Sequence, residues 1–188
     1  RVLRLRGPRS TAPLVRRLNY EEIIANLERM PPGILTGISA LDFADFRLRP
    51  REFTIVAGRM GCMKTSFMLN VVLKLLDKPE HGPVVFISYE NSREEILAKL
   101  LAMRTGVNAD NEGLSVVEMM EYLRAEHEEQ KEVRKRHPGI KLALDFFKNH
   151  ADHLYLTYSP RLEPNAVCRE LERIRSVRGP IAVVFIDY

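Results

Sequence analysis

One ten-residue segment limits the fold of this chain more than any other. Val56-Ala-Gly-Arg-Met-Gly-Cys-Met-Lys-Thr65 follows an apolar run of strand length and precedes a stretch with helical spacing of apolar residues. It approximates the pattern Gly-x-x-x-x-Gly-Lys-Ser/Thr, a loop between a strand and a helix whose backbone N–H groups surround phosphate oxygens. The segment therefore predicts a strand, loop and helix unit of the kind found in parallel α/β sheets.

The same loop predicts a binding site for ATP and Mg²⁺. In this pattern the Lys reaches the β- and γ-phosphates and the hydroxyl ligates Mg²⁺, and these residues are Lys64 and Thr65 here. The candidate nucleotide-binding residues are Gly58, Arg59, Met60, Gly61, Cys62, Met63, Lys64, Thr65 and Ser66. Met63 replaces the second glycine. If that position needs a positive φ, a residue with a Cβ costs about 1–2 kcal/mol there, and we expect Met63 to weaken ATP binding.

Strand-like and helical patterns alternate along the rest of the chain. Strands are predicted at residues 53–57, 84–88, 154–158 and 182–186. Helices are predicted at residues 20–30, 64–76, 92–104, 115–136, 142–148 and 164–175, and residues 33–37 are predicted as a loop. This alternation predicts an α/β fold with a mainly parallel sheet and helices on both faces.

Composition narrows the class of protein. The 188 residues are 45% hydrophobic and 29% charged, which fits one globular domain, and apolar runs such as 181–186 are too short to cross a membrane. Only Cys62 and Cys168 occur and no secretory signal is visible, so we expect a cytoplasmic protein. The first 17 residues contain six Arg and no acid, which predicts a basic arm or linker over residues 1–19. The absence of an initiator Met and the end at Tyr188 suggest a part of a longer protein.

Two carboxylates follow predicted strands at the edge where ligands bind in parallel sheets. Asp187 follows the last strand, and we expect it to hold Mg²⁺ opposite Thr65. Glu90 follows the second strand and is a candidate general base for water, with Lys64 as the second catalytic residue. The alternatives are an ordinary exposed carboxylate for Glu90, and a structural role for Arg59 rather than contact with nucleotide or a neighbouring subunit.

Several motifs together resemble the ATPase domain of DnaB-type replicative helicases, which has a RecA-like fold. The matching segments are Gly33-Ile-Leu-Thr-Gly37 with Leu41-Asp42, Thr54 to Arg59 with Lys64-Thr65 and Asn70, Phe86-Ile-Ser-Tyr-Glu90, and Val184-Phe-Ile-Asp-Tyr188. Residues 154–158 and the helix at Pro164 occupy the expected interval between the last two. The Gly-x-x-Thr-Gly-x-x-x-Leu-Asp motif also occurs in RadA-like and KaiC-like ATPases.

The resemblance implies a function and an organisation. It implies a P-loop NTPase of the RecA-like class, with a linker helix at residues 20–32 and an ATPase domain at 33–188 that stops after the Walker B strand. It also implies a homohexameric ring that moves on single-stranded DNA, with primase or a helicase loader as further partners, in bacterial or phage replication. Because the family's DNA-binding loops and arginine finger follow that strand, we expect the chain alone to be a weak ATPase. A RadA-like or KaiC-like ATPase and a non-hydrolysing scaffold with a decayed phosphate loop are the alternatives.

Overall fold

The computed structural model describes residues 19–106, 113–161 and 163–188. The chain divides into two compact units, Arg1–Pro32 and Gly33–Tyr188. The described part of the first unit contains helix α1, Tyr20–Glu28, whose first turn is capped by the Asn19 side chain, which accepts the Glu22 N–H. Most of the predicted basic arm lies outside the described residues.

The second unit is an α/β arrangement. Its elements in chain order are β1 Ile34–Leu35, α2 Ser39–Phe43, β2 Arg47–Leu48, α3 Lys64–Leu76, β3 Val84–Ser88, α4 Arg93–Thr105, α5 Val116–Arg124, α6 His127–Arg136, α7 Gly139–His150, β4 Leu154–Tyr158, α8 Pro164–Arg178 and β5 Val183–Asp187. Strands β4, β3 and β5 form a parallel sheet in that order, with Ser88 level with both Tyr158 and Asp187. The three strands therefore end at one edge, and β5 is an outer strand among the described residues.

Helices cover both faces of this sheet, as the sequence predicts. Side chains alternate across a strand, so Val84 and Phe86 face a core with α3 and α4, while Val85 and Ile87 face Ile174 of α8. All five residues of β3 are buried, which explains its continuous apolar sequence. A further cluster joins α4, α5 and α7 around the buried Met119 and Ile140.

The predicted strand at residues 53–57 is wrong for this structure. The segment has no regular secondary structure, and the side chains of Phe53 and Ile55 are 85% and 74% exposed. A strand is defined by its ladder of hydrogen bonds to a neighbour, and in the described part of the chain this segment pairs with no strand. The apolar composition indicates that the segment could form a strand, but it does not identify a neighbouring strand with which the segment would pair.

The single helix predicted over residues 115–136 is also wrong, because the structure contains two helices there. α5 ends at Arg124, and Ala125 adopts an extended conformation with ψ of 155° before α6 begins. The Gln130 side chain donates to the Ala125 carbonyl at 3.1 Å. This hydrogen bond replaces the helical one that the Ala125 carbonyl would have made in a continuous helix. Ser115 and Glu118 form a capping box at the start of α5.

The Gly33–Gly37 segment is a structured turn rather than only a loop. Ile34 and Leu35 pair antiparallel with Leu48 and Arg47. Asp42 stabilises the turn that follows β1. Its carboxylate accepts hydrogen bonds from the Thr36 N–H at 2.8 Å, the Thr36 hydroxyl at 2.7 Å and the Gly37 N–H at 3.0 Å. These hydrogen bonds, led by the one from the Thr36 hydroxyl, lower the pKa of Asp42.

Gly37 brings this turn into contact with α3. Its φ is +75°, and a Cβ at this position would overlap the Lys74 Cβ on α3. Gly37 therefore allows the turn to lie against the Lys74 side chain of α3, while the hydrogen bonds to Asp42 hold the turn in shape. Within the described residues, no helix has the length and apolar character that crossing a bilayer requires.

Candidate active site at the carboxyl edge of the sheet

The loop before α3 has the backbone that a glycine normally supplies at residue 63. Met63 is the N-cap of α3 and adopts φ 53° and ψ 28°, the left-handed region, with its side chain 73% exposed. Gly61 also has a positive φ, 78°, and a Cβ there would meet no atom within 4 Å. The expected cost of a residue with a Cβ depended on a positive φ at this position, and Met63 does have a positive φ.

Lys64, the first residue of α3, folds back onto this loop. Its Nζ donates to the carbonyl oxygens of Gly58 at 3.1 Å and Arg59 at 3.0 Å. The Cys62 N–H donates to the same Arg59 carbonyl at 3.2 Å, which closes a turn inside the loop. The ammonium group is thus held within the loop by two neutral acceptors, both of which it can exchange for other oxygen acceptors.

Thr65 and Asp187 meet although 122 residues separate them in sequence. The Thr65 Oγ1 lies 3.0 Å and 2.9 Å from the two carboxylate oxygens of Asp187, to which the hydroxyl donates. Asp187 is only 4% exposed. The contact brings a hydroxyl oxygen and two carboxylate oxygens together without a cationic side chain between them, which suits an added cation.

Glu90 lies at the same edge of the sheet. It is exposed, two residues beyond Ser88, and Ser88 is level with Asp187 across the β3 and β5 ladder. The Tyr89 N–H donates to the Asp187 carbonyl at 2.9 Å, so the chain segments that carry the two carboxylates are joined by a backbone hydrogen bond. The rings of Tyr89 and Tyr188 meet edge to face, with centroids 5.5 Å apart, beside this link.

The remaining loop residues are placed less specifically. Arg59, Met60 and Cys62 are exposed, and Ser66 is partly buried in the first turn of α3. Two residues that the sequence does not single out, Asn91 and Lys99, lie beside Glu90 together with Ser88. Their pattern, polar residues beside a capped helix start, is common, so sequence offers little signal for them.

In the described part of the chain, no cluster of three or more His, Cys, Asp or Glu side chains is arranged to hold a metal ion by itself.

The parallel sheet and the helices on both of its faces define an α/β domain. Residues 33–188 match the family described as DnaB-like helicase C terminal domain. The chain belongs to that family, and the resemblance inferred from its motifs is confirmed.

Curated relatives agree with this assignment. The chain is 27% identical over 158 residues to the "Probable replicative DNA helicase" of Trieres chinensis and 27% identical over 156 residues to the "Replicative DNA helicase DnaB" of Pasteurella multocida (strain Pm70), with 83% of this chain and 30% of each relative covered. It is 25% identical over 169 residues to the "Replicative DNA helicase DnaB" of Haemophilus influenzae, covering 89% of this chain and 33% of that protein. The chain thus spans about a third of the length of these relatives.

Proposed function

We propose that this chain is the ATP-hydrolysing core of a replicative DNA helicase that moves along single-stranded DNA and separates duplex. Family membership and relatives named as replicative DNA helicases support the helicase class. The contact between Thr65 and Asp187, beside Lys64 at the start of α3, is the observation that supports ATP hydrolysis most directly.

The residues of the loop and edge fit a triphosphate with Mg²⁺. A hydroxyl and a carboxylate are ligands that Mg²⁺ accepts, and Mg²⁺ commonly uses one or two protein ligands together with phosphate oxygens and water. Thr65 and Asp187 are the residues that would hold it. When bound, Mg²⁺ neutralises charge that develops on the phosphoryl oxygens.

The protein's own groups bind and orient the substrate. The loop from Gly58 to Ser66 offers N–H groups at the positive end of α3, and Lys64 exchanges its two loop carbonyls for phosphate oxygens. Glu90 accepts a proton from the attacking water as general base. Arg59, at the exposed surface of the loop, is a candidate for contact with nucleotide or with a neighbouring subunit.

The proposal includes the assembly expected of such a motor. We propose a homohexameric ring in which single-stranded DNA occupies the channel. The linker predicted over residues 20–32 docks on the adjacent subunit, and its helical part is α1, Tyr20–Glu28, because the helix ends before Pro31 and Pro32. Residues 33–188 form the ATPase domain of this ring, with residues 1–19 as a basic arm or linker. Primase or a helicase loader is the further partner, and the bacterial cytoplasm, including that of a phage-infected cell, is the compartment.

Two alternatives make different predictions. A RadA-like or KaiC-like ATPase shares the fold, but the names of the relatives reported above favour a replicative helicase. A non-hydrolysing scaffold would keep the ring while losing turnover, and the retention of Lys64, Thr65, Glu90 and Asp187 argues against it.

DNA-stimulated ATP hydrolysis by the full-length protein tests the proposal. We expect Lys64→Ala to abolish the stimulated rate, because the ammonium that contacts the β- and γ-phosphates is lost. Lys74→Ala, on the last turns of the same helix, is the matched control and should retain turnover. Absence of DNA-stimulated hydrolysis in the unaltered protein would favour the scaffold alternative.

A further inference from the structure

We propose that Lys99 is a positioning residue that fixes the loop carrying Glu90, acting through Asn91. The inference rests on the proposed function, because it concerns how the candidate base is held. It assigns a role to Lys99 and Asn91, which belong neither to the proposed phosphate-binding loop nor to the two candidate carboxylates, Glu90 and Asp187.

The first attachment of this loop is to the end of β3. The Ser88 hydroxyl, on a residue that is 1% exposed, accepts the Asn91 N–H at 2.9 Å. This hydrogen bond closes a turn over Tyr89 and Glu90. Since the Tyr89 N–H is bound to the Asp187 carbonyl, the backbone on both sides of Glu90 is attached to the sheet.

The second attachment is to the start of α4. Ser92 accepts the Glu95 N–H at 3.2 Å and Glu95 accepts the Ser92 N–H at 2.8 Å, which is a complete capping box. The hydrogen bonds from Ser92 lower the pKa of Glu95, and the positive charge of Lys99 acts in the same direction. Glu90 is therefore carried on a four-residue connection with a fixed beginning and a fixed end.

Lys99 joins the middle of this connection to the body of α4. Its Nζ donates to the Asn91 Oδ1 at 2.6 Å, although the two residues are eight positions apart. A hydrogen bond from an ammonium is stronger than one between neutral groups, and Lys99 is half-buried, so solvent competes less for it. The Asn91 side chain thus accepts from Lys99 while its backbone donates to Ser88, and the residue next to Glu90 is held from two sides.

Such a link affects the chemical step more than substrate binding. Glu90 is exposed, and a general base must be placed to within a fraction of an ångström to orient a water molecule. In the proposed function the triphosphate contacts the loop before α3, whereas the hydrogen bond of Lys99 goes to Asn91. Loss of the Lys99 link should therefore lower kcat and leave the KM for ATP nearly unchanged.

The test compares substitutions of Lys99 and Asn91, alone and together, with a control variant in the full-length protein. Lys99→Met removes the donor and should lower the kcat of DNA-stimulated ATP hydrolysis by about tenfold, with the KM within about twofold. Lys99→Arg retains a cationic donor and should recover most of that loss. Asn91→Ala removes the acceptor and should match Lys99→Met, and the double variant should be no slower than either single one. Lys141→Met, an exposed charge removal on α7, is the control and should leave kcat unchanged.

The outcomes separate the inference from the proposed function. If Glu90→Gln keeps the kcat of the unaltered protein, the assignment of Glu90 as base fails, and the inference fails with it. If Glu90→Gln lowers kcat while Lys99→Met does not, only the inference is overturned. Additive losses in the double variant, or a raised KM together with a lower melting temperature, would show a general structural role for Lys99 and would also overturn it.

Discussion

Replacement of Met63 by glycine is the sharpest test of the proposed phosphate-binding loop. Met63 holds φ 53° and ψ 28° with most of its side chain in solvent, so little packing compensates its conformation. The left-handed region costs a residue with a Cβ about 1–2 kcal/mol. Glycine removes that penalty but loses about 0.5–1 kcal/mol through its greater freedom in the unfolded chain.

The net expectation for Met63→Gly is a gain of about 0.5–1 kcal/mol in the free energy of unfolding. For a chain of this size that corresponds to a rise of about 1–4 °C in melting temperature. Met60→Gly is the matched control, because Met60 is 99% exposed in the same loop and is not among the residues with positive φ. It should lose about 0.5–1 kcal/mol, so the two substitutions should have opposite signs.

The affinity for nucleotide should depend on the same backbone strain at Met63. If the loop needs this conformation to surround a triphosphate, at most the whole penalty of about 1–2 kcal/mol opposes binding, which is a factor of about 5–30 in Kd. We expect Met63→Gly to tighten ATP binding by up to that factor, measured by equilibrium titration with a fluorescent ATP analogue. An unchanged Kd would refute the idea that Met63 weakens binding, and an unchanged or lower melting temperature would refute the strain argument itself.

Two further predictions concern the turn at Thr36 and Gly37, which lies against α3. Gly37→Ala should lower the free energy of unfolding by about 2–4 kcal/mol in denaturant titrations, because it adds left-handed strain to an overlap with Lys74, whereas Gly61→Ala adds only the strain and should cost about 1–2 kcal/mol. Equal losses for the two variants would contradict the overlap. Asp42→Asn should destabilise the protein at neutral pH, and the difference from the unaltered protein should shrink as the pH falls below about 4. The carboxylate, whose pKa is lowered chiefly by the Thr36 hydroxyl, contributes stability above its unfolded pKa and loses it on protonation in the fold. A difference that stays constant down to pH 2 would show that charge on Asp42 is not involved.

Much of the fold follows from local sequence signals. Helix α3 has the predicted bounds because an apolar stripe begins at the loop and continues to Leu76, and β3 and β4 coincide with the predicted runs at 84–88 and 154–158. The capping box at Ser92 and Glu95, which starts α4, depends only on local sequence, because its two side chains lie three residues apart. Local hydrogen bonds and periodicity decide these elements.

Features that depend on distant partners were harder to predict. The run at 53–57 is apolar enough for a strand, yet only a neighbouring strand can make it one. The two-residue strands β1 and β2 are too short to show a period. The meeting of Thr65 with Asp187 follows in outline from the rule that parallel strands end at one edge, but the distances between them do not. The link from Lys99 to Asn91 has no sequence signal of its own.

The outer edge of β5 has a practical consequence for work with the purified chain. β5 reads Val-Val-Phe-Ile-Asp, without the lysine or proline that natural sheets use at their borders to deter intermolecular pairing. One side of its backbone remains open to hydrogen bonding within the described part of the chain. Concentrated samples are therefore expected to aggregate when β5 strands of different molecules pair. Storing the purified chain at low protein concentration should reduce this aggregation.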